Sequence, residues 1–299
     1  MLMLYNSDSF AVVQFDMLPA PGAAGPLGRG GYEIVDKHAR REIFIEGALA
    51  EHFKEGVQAL IEASPALRAR QKVTLTPYPV QWADSIDALP EAPLFLLANE
   101  FFDALPIRQF QRHVEGWQER LVGERDGRLA FGLSSATRMA ALEHRMADTV
   151  PGDIVETCAP AQAIVAGIAQ RIDRFGGAAL LIDYGDWHSC GDTLQALRRH
   201  TFADPLAEPG EADLTAHVDF EALAQAAAPC AATGPVPQGM LLERLGITAR
   251  AQALAGRMTG AALTAHIAAH RRLTHPEEMG HLFKALALHP SGMPPPPGF

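Results

Sequence analysis

The sequence predicts an α/β fold, and three observations carry the prediction. Two apolar runs, Leu94–Ala98 and Ala178–Ile182, have no polar alternation, as expected of strands covered on both faces of a parallel sheet. An amphipathic stretch, Ala161–Arg174, precedes the second run, and Gly176-Gly177 closes it as a helix. Each run ends in polar residues: Asn99, Glu100 and Asp103 after the first, Asp183, Tyr184, Gly185 and Asp186 after the second. Ligand sites of open α/β sheets lie beyond the carboxyl ends of their strands. The two endings therefore define one candidate cleft.

The elements follow in chain order. Phe10–Phe15, Tyr32–Val35 and Glu42–Ile45 read as strands, with a loop rich in proline and glycine between the first two. From Ala48 the pattern turns helical, with Leu49, Phe53, Val57, Leu60 and Ile61 at three- and four-residue spacings. Ser64-Pro65 reads as a helix start, and Arg68 and Arg70 suit the far end of that helix's dipole. Val73-Thr74-Leu75 is a short strand candidate, and Trp82–Leu89 a connection. Pro106 stops any long helix after the first polar ending. Ile107–Val114, Trp117–Val122 and Arg128–Leu133 are divided by Glu115-Gly116 and Asp126-Gly127, the signature of a β-meander. Ala203–Asp213 reads as a loop, Glu221–Ala228 as a helix, and Met240–Leu288 as mostly helical. In that last part the stripes of Met240, Leu241 and Leu245 and of Met279, Leu282 and Phe283 read as core. Pro294–Pro297 is a polyproline tail.

Composition narrows the function. Of 299 residues, 48% are hydrophobic and 20% charged, as in ordinary globular proteins. The formal charge of −10 argues against a broad nucleic-acid-binding surface and suits a basic protein partner. Cys158, Cys190 and Cys230 form no C-x-x-C pair, so neither a zinc site nor a disulfide framework is expected. No apolar run approaches a membrane span, and the first residues do not read as a signal peptide. The expected compartment is reducing and cytoplasmic.

Carboxylates facing a cleft can hold a guanidinium or ammonium by charge-assisted hydrogen bonds, and one can accept a proton. Glu100 and Asp103 could equally cap the segment after their strand; spacing alone leaves both readings open. Asp213, His217 and Asp219 have a metal-like spacing, but a helix cap beside a structural histidine is the simpler reading, and no metal is expected. Gly25–Gly31 holds glycines without standing directly between a strand and a helix, so a flexible connection is favoured over a phosphate loop.

Several ordered motifs from Glu62 to Phe299 carry a family resemblance. They are Glu62-Ala63-Ser64-Pro65-Ala66-Leu67-Arg68-Ala69-Arg70-Gln71, Asn99–Pro106, Ile182-Asp183-Tyr184-Gly185, Asp213–Phe220, Gly234–Gly239, Met279–Lys284 and Pro297-Gly298-Phe299. This part resembles the MidA/NDUFAF7-like family of class I S-adenosylmethionine-dependent methyltransferases. The resemblance implies a Rossmann-like methyltransferase sheet with a β-meander insertion and a helical carboxyl-terminal part. It implies methyl transfer from S-adenosylmethionine to a nitrogen, with protein arginine as substrate type and a subunit of a respiratory-complex kind as a possible partner. Glu62 would bind the cofactor ribose. Asn99, Glu100 and Asp103 would be catalytic, holding the guanidinium, with Asp183, Tyr184, His217 and Asp219 on the substrate side.

Residues 1–61 resemble a different, small bacterial family of unknown function, through Met3–Phe10, Gly30–Lys37 and Glu42–Glu51. In the methyltransferase family an acid-ended strand and a glycine-rich loop precede the position of Glu62 and cradle the cofactor. Here the other family stands in their place, and the join falls near Gln58–Ala63. The expected architecture is a fusion of units 1–61 and 62–299, with a methyltransferase sheet incomplete at its amino-terminal side and weak or absent cofactor binding. Three readings stay open: an impaired methyltransferase, a non-catalytic binding or assembly factor that keeps the substrate cleft, and a chimera without function.

Overall fold

The computed structural model describes residues 86–199 and 201–299, the isolated positions 80 and 83, and the backbone of four strands nearer the amino terminus. The chain divides into two compact units, Met1–Trp82 and Ala83–Phe299. In the first, β1 (Leu2–Asn6), β2 (Phe10–Phe15), β3 (Gly31–Asp36) and β4 (Arg41–Glu46) pair antiparallel in sequential order. The sequence reading missed β1. The helices expected from Ala48 and Ser64, the strand at Val73-Thr74-Leu75, residues 25–30 of the glycine-rich stretch and Glu62 lie outside the described residues.

The second unit is built around β10 (Gly177–Asp186). The first half of one edge pairs parallel with β5 (Leu94–Asn99), from Gly177 opposite Leu94 to Ile182 opposite Asn99. Beyond β5, the same edge meets β14 (Val218–Asp219) at Gly185 and Asp186. The other edge pairs antiparallel with β17 (Phe283–His289). Two short strands, β15 (Ala231–Ala232) and β16 (Val236–Pro237), complete the sheet along β17.

Gly177 makes the start of β10 possible. Its φ is +110°, and a Cβ there would lie 2.0 Å from the Leu94 carbonyl oxygen. Only glycine lets the two parallel strands begin this close together. Before it runs α1 (Ala159–Phe175), whose Val165, Ile168, Ala169 and Ile172 are buried. They pack with Ala179, Leu181, Leu286 and Leu288 of the sheet and with Phe220 and Leu223. Burying each of the larger aliphatic side chains contributes about 1.5–3 kcal/mol, so α1 fixes one face of the sheet.

Between β5 and α1 the chain forms the expected meander. β6 (Arg108–His113), β7 (Gly116–Arg125), β8 (Arg128–Leu133) and β9 (Ile154–Thr157) make a sheet in the order β8-β7-β6-β9. A second small core of Phe110, Trp117, Leu142 and Val155 sits against it. Further on, β11 (Gln195–Arg198), β12 (Thr201–Ala203) and β13 (Asp213–Thr215) form a small antiparallel sheet.

Met240–Leu288 is mostly helical, as expected, and two points are corrected. The first is that the helices stop before its end. After α2 (Phe220–Ala226) come α3 (Gln238–Arg244), α4 (Ile247–Ala255), α5 (Gly260–Thr274) and the single turn α6 (Met279–Leu282). The chain then enters β17, every residue of which is buried. Phe283, read above with a helical stripe, is its first residue. Phe-Lys-Ala-Leu-Ala-Leu-His has good helix formers and no clear alternation; its place beside β10 decides its conformation. The second correction concerns β5, which is not covered on both faces. Its exposure alternates, with Phe95 82% and Leu97 69% exposed.

Candidate functional site

The turn after β5 is shaped by one carboxylate. Asp183 stands one residue beyond the last β5–β10 pair and is fully buried. Its Oδ2 accepts the backbone N–H groups of Phe101, Phe102 and Asp103 at 3.1, 3.0 and 3.3 Å. Its Oδ1 accepts the N–H of Tyr184 at 3.0 Å. The Glu100 N–H donates to the Ile182 carbonyl at 3.0 Å. Four consecutive N–H groups of the turn are thus taken up by β10. To present them, Glu100 adopts a left-handed conformation, φ +48°, unusual for a residue with a side chain.

Asp183 is held electrostatically off balance. Burial pushes its carboxyl up to about 6 and the Asp103 charge adds to this, while the donated N–H groups pull it back. Asp103 is itself 6% exposed. Its Oδ2 accepts the Tyr184 hydroxyl at 2.6 Å, and its Oδ1 is buried without a partner among the described residues. Burial first, then the hydrogen bond to Asp103, raises the Tyr184 phenol above its ordinary range. The Tyr184 ring lies edge-on to His217, centroids 5.5 Å apart, and to Phe283 at 5.4 Å. The Asp103 carbonyl accepts the Ala216 N–H at 3.0 Å, tying the turn to the segment that carries His217.

The residues picked from the sequence therefore separate into three groups. Asn99 and Glu100 are exposed at the rim, joined by a 3.2 Å bond from Asn99 Nδ2 to Glu100 Oε1. Asp103, Asp183 and Tyr184 form the buried network beneath them. His217 and Asp219 lie on the far side of Tyr184. Asp219 caps α2, its Oδ1 accepting from the Ala222 N–H at 2.9 Å and its Oδ2 from the Ser189 N–H at 3.2 Å. Burial raises the Asp219 carboxyl and lowers the His217 imidazole. Asp213 is exposed in β13, and among the described residues no cluster with metal-binding geometry forms.

Two buried polar residues escaped the sequence reading. Glu156 in β9 accepts Gln109 Nε2 at 2.7 Å and the Thr193 N–H at 2.9 Å, and also bonds the Thr193 hydroxyl. That hydroxyl receives the His217 N–H at 2.9 Å, so the meander is strapped to the site. Lys284 in β17 donates to the carbonyls of Gly185 and His281 at 3.0 and 2.7 Å. Burial lowers its ammonium, against the nearby Asp186. The signal for Glu156 was a lone acid within a four-residue strand; for Lys284, a lone cation inside an apolar run.

A parallel strand pair presenting a rigid polar turn at its carboxyl ends defines a ligand-binding α/β protein. Comparisons with known proteins make the class specific. Residues 45–236 match a family model described as "Putative S-adenosyl-L-methionine-dependent methyltransferase". The chain belongs to this methyltransferase family. Residues 1–75 match a family of unknown function, so the two matches overlap over 45–75. The chain is 35% identical over 241 residues to protein arginine methyltransferase NDUFAF7, mitochondrial, of Xenopus laevis, covering 76% of this chain and 55% of the relative. Against the Danio rerio counterpart it is 38% identical over 219 residues, 72% of this chain and 52% of the relative. A solved COG1565 superfamily protein from Burkholderia thailandensis, bound to S-adenosyl-homocysteine, superposes with a TM-score of 0.63 at 31% identity. That match covers 75% of this chain and 61% of the other. The chain spans about half the length of the curated relatives it matches. The cytoplasmic placement expected above is corrected by these relatives, which are named mitochondrial proteins.

The family and the solved neighbour bound to S-adenosyl-homocysteine support S-adenosylmethionine as the cofactor; the position at which the resemblance expects its loop lies outside the described residues. The strand-to-helix turn from β9 into α1 is Thr157-Cys158-Ala159-Pro160, with no glycine and only three N–H groups. Glu62, the residue that the resemblance assigns to the ribose, is not among them. What the described residues supply is the turn at Asn99–Asp103.

Proposed function

We propose that this chain supplies the acceptor side of an S-adenosylmethionine-dependent protein methyltransferase, acting on an arginine nitrogen. The observation that carries this reading is the turn at Glu100. Its carboxylate is exposed, its backbone is pinned from β10, and Asn99 hydrogen-bonds it from the adjacent position. A guanidinium laid on that rim would find a carboxylate already oriented, a matter of positioning and electrostatics rather than of covalent chemistry. Asp103, Asp183 and Tyr184 hold the rim from beneath; His217 and Asp219 support the wall beyond. A protein substrate follows from the relatives' name, and a respiratory-complex subunit is the partner kind to try first. Residues 1–61 form a separate unit in this reading, fused to the methyltransferase part.

The test is transfer of labelled methyl from S-adenosylmethionine to proteins of a lysate, comparing the chain with Glu100→Gln. Transfer should fall by about a hundredfold or more in the variant. Equal labelling by both forms would sink the role of Glu100. A second reading is a binding or assembly factor that keeps the acceptor rim, resting on the same exposed Glu100 carboxylate beside Asn99. Arginine-peptide binding that Glu100→Gln weakens, with no heat on titration of S-adenosylmethionine, would select it.

A further inference from the structure

A cavity of about 370 Å³ lies between the meander, α1 and α2, and borders the candidate site at Phe102, His217 and Asp219. That is the size of a small-ligand site. Phe110, Leu142, Val155 and Leu223 give it apolar walls. Into it reaches Arg145, only 4% exposed. Its Nε bonds Asp148 at 2.9 and 3.2 Å, but neither terminal nitrogen makes a hydrogen bond among the described residues. Those nitrogens are also not sealed in protein, since they are absent from the fully buried unpaired atoms. They face the open space of the cavity.

A second feature points the same way. The first turn of α1, a 17-residue helix, lines the cavity through Cys158, Ala159 and Gln162, and no side chain caps it. Its dipole favours an anion, although Pro160 lacks an N–H and the Ala161 N–H is directed at Cys158. Three carboxylates also line the cavity, and Asp219 is close enough to Arg145 to feel its charge, but each already has a donor. Glu156 is bonded by Gln109 and Thr193, Asp219 by Ala222 and Ser189, and Glu221 pairs with His188 at 2.7 Å. Both terminal nitrogens of the Arg145 guanidinium are without a hydrogen bond among the described residues.

We infer that this cavity binds a small carboxylate with an apolar body, its carboxylate on Arg145 and its body against Phe110, Leu142 and Val155. The guanidinium fork matches a carboxylate bidentately, and the walls exclude water around the pair. The cavity shares His217 and Asp219 with the wall of the proposed acceptor site, but carboxylate binding at Arg145 does not require methyl transfer at Glu100 and would stand if that reading fell.

Three probes of one shape test it: 3-phenylpropionate, 3-phenylpropanol and 3-phenylpropylamine, titrated by calorimetry into the full chain. The carboxylate should bind at least tenfold tighter than the alcohol, and the amine most weakly. Arg145→Met should remove the carboxylate's advantage. Bound carboxylate should also slow alkylation of Cys158, which lines the cavity, and leave exposed Cys190 unaffected, read by mass spectrometry. If Arg145→Met does not fold, the three-probe ranking and the Cys158 protection in the unmodified chain decide. Equal binding of alcohol and acid, tighter binding of the amine, no binding of any probe, or protection of Cys190 alone would each overturn the inference.

Discussion

Replacing Asp183 by asparagine tests the electrostatics of the turn directly. The carboxylate uses both oxygens as acceptors, Oδ2 for three N–H groups and Oδ1 for the Tyr184 N–H. Asparagine keeps one acceptor. With its oxygen toward the turn, its amide faces the Tyr184 N–H donor to donor, at a cost of about 1–3 kcal/mol. The pH dependence gives a sharper signature. The folded pKa is about 6 against an ordinary 3.8, so the folded chain holds this proton more tightly than the unfolded chain. Such a group stabilises fully below 3.8 and loses that contribution as pH rises through 6. Between pH 5 and pH 8 the loss is about 1.4 kcal/mol. Asp183→Asn cannot titrate there. The stability gap between the two proteins should therefore narrow by about 1.4 kcal/mol from pH 5 to pH 8. Urea unfolding at several pH values, followed by fluorescence of Trp117 and Trp187 in the larger unit, measures it. All other titrating groups common to both proteins largely cancel in the difference. A gap that is constant or widens with pH would refute the account of Asp183.

Other predictions concern the backbone. Glu100 holds a left-handed conformation that costs a side-chain-bearing residue about 1–2 kcal/mol, partly offset by glycine's greater chain entropy. Glu100→Gly should unfold at the same denaturant concentration or higher, while labelled-methyl transfer falls as it does in Glu100→Gln. A loss above about 2 kcal/mol would show that the strain is not local. At Gly177 the reverse holds. Alanine there meets both the positive φ and the Leu94 carbonyl, so Gly177→Ala should cost about 3 kcal/mol or more in a thermal melt. An unchanged midpoint would mean that β5 and β10 can separate at their start.

The parts of the fold that were legible are those whose sequence pattern reflects a local cause. The meander was readable because Glu115-Gly116 and Asp126-Gly127 set tight turns between strand-like runs. Strand β10 was readable from its unbroken apolar run, although one face is buried and the other only half-buried. The same logic failed at β17, where alanine and leucine suit helix and strand alike and only the β10 edge chooses between them. It failed in the other direction at β5, whose five apolar residues suggested two covered faces while Phe95 and Leu97 are exposed. At the site, residue types were legible and their roles were not. Asp103 and Glu100 sit three residues apart in sequence, yet one is buried on Tyr184 and the other projects outward. That division depends on Asp183, eighty residues on from Asp103 in the chain. No local pattern encodes a hydrogen bond of that range.

The range of that bond also bears on how the rim is preorganised. Among the described residues β5 pairs with β10 alone. Every backbone bond that shapes the turn comes from the β10 side, from Asp183 and the Ile182 carbonyl, with Ala216 fixing its far end. Among the described residues none comes from the other edge of β5. The shape of the acceptor rim is therefore set within β5, β10 and the segment before β14. The strain stored at Glu100 is balanced by the four hydrogen bonds that hold the turn to β10.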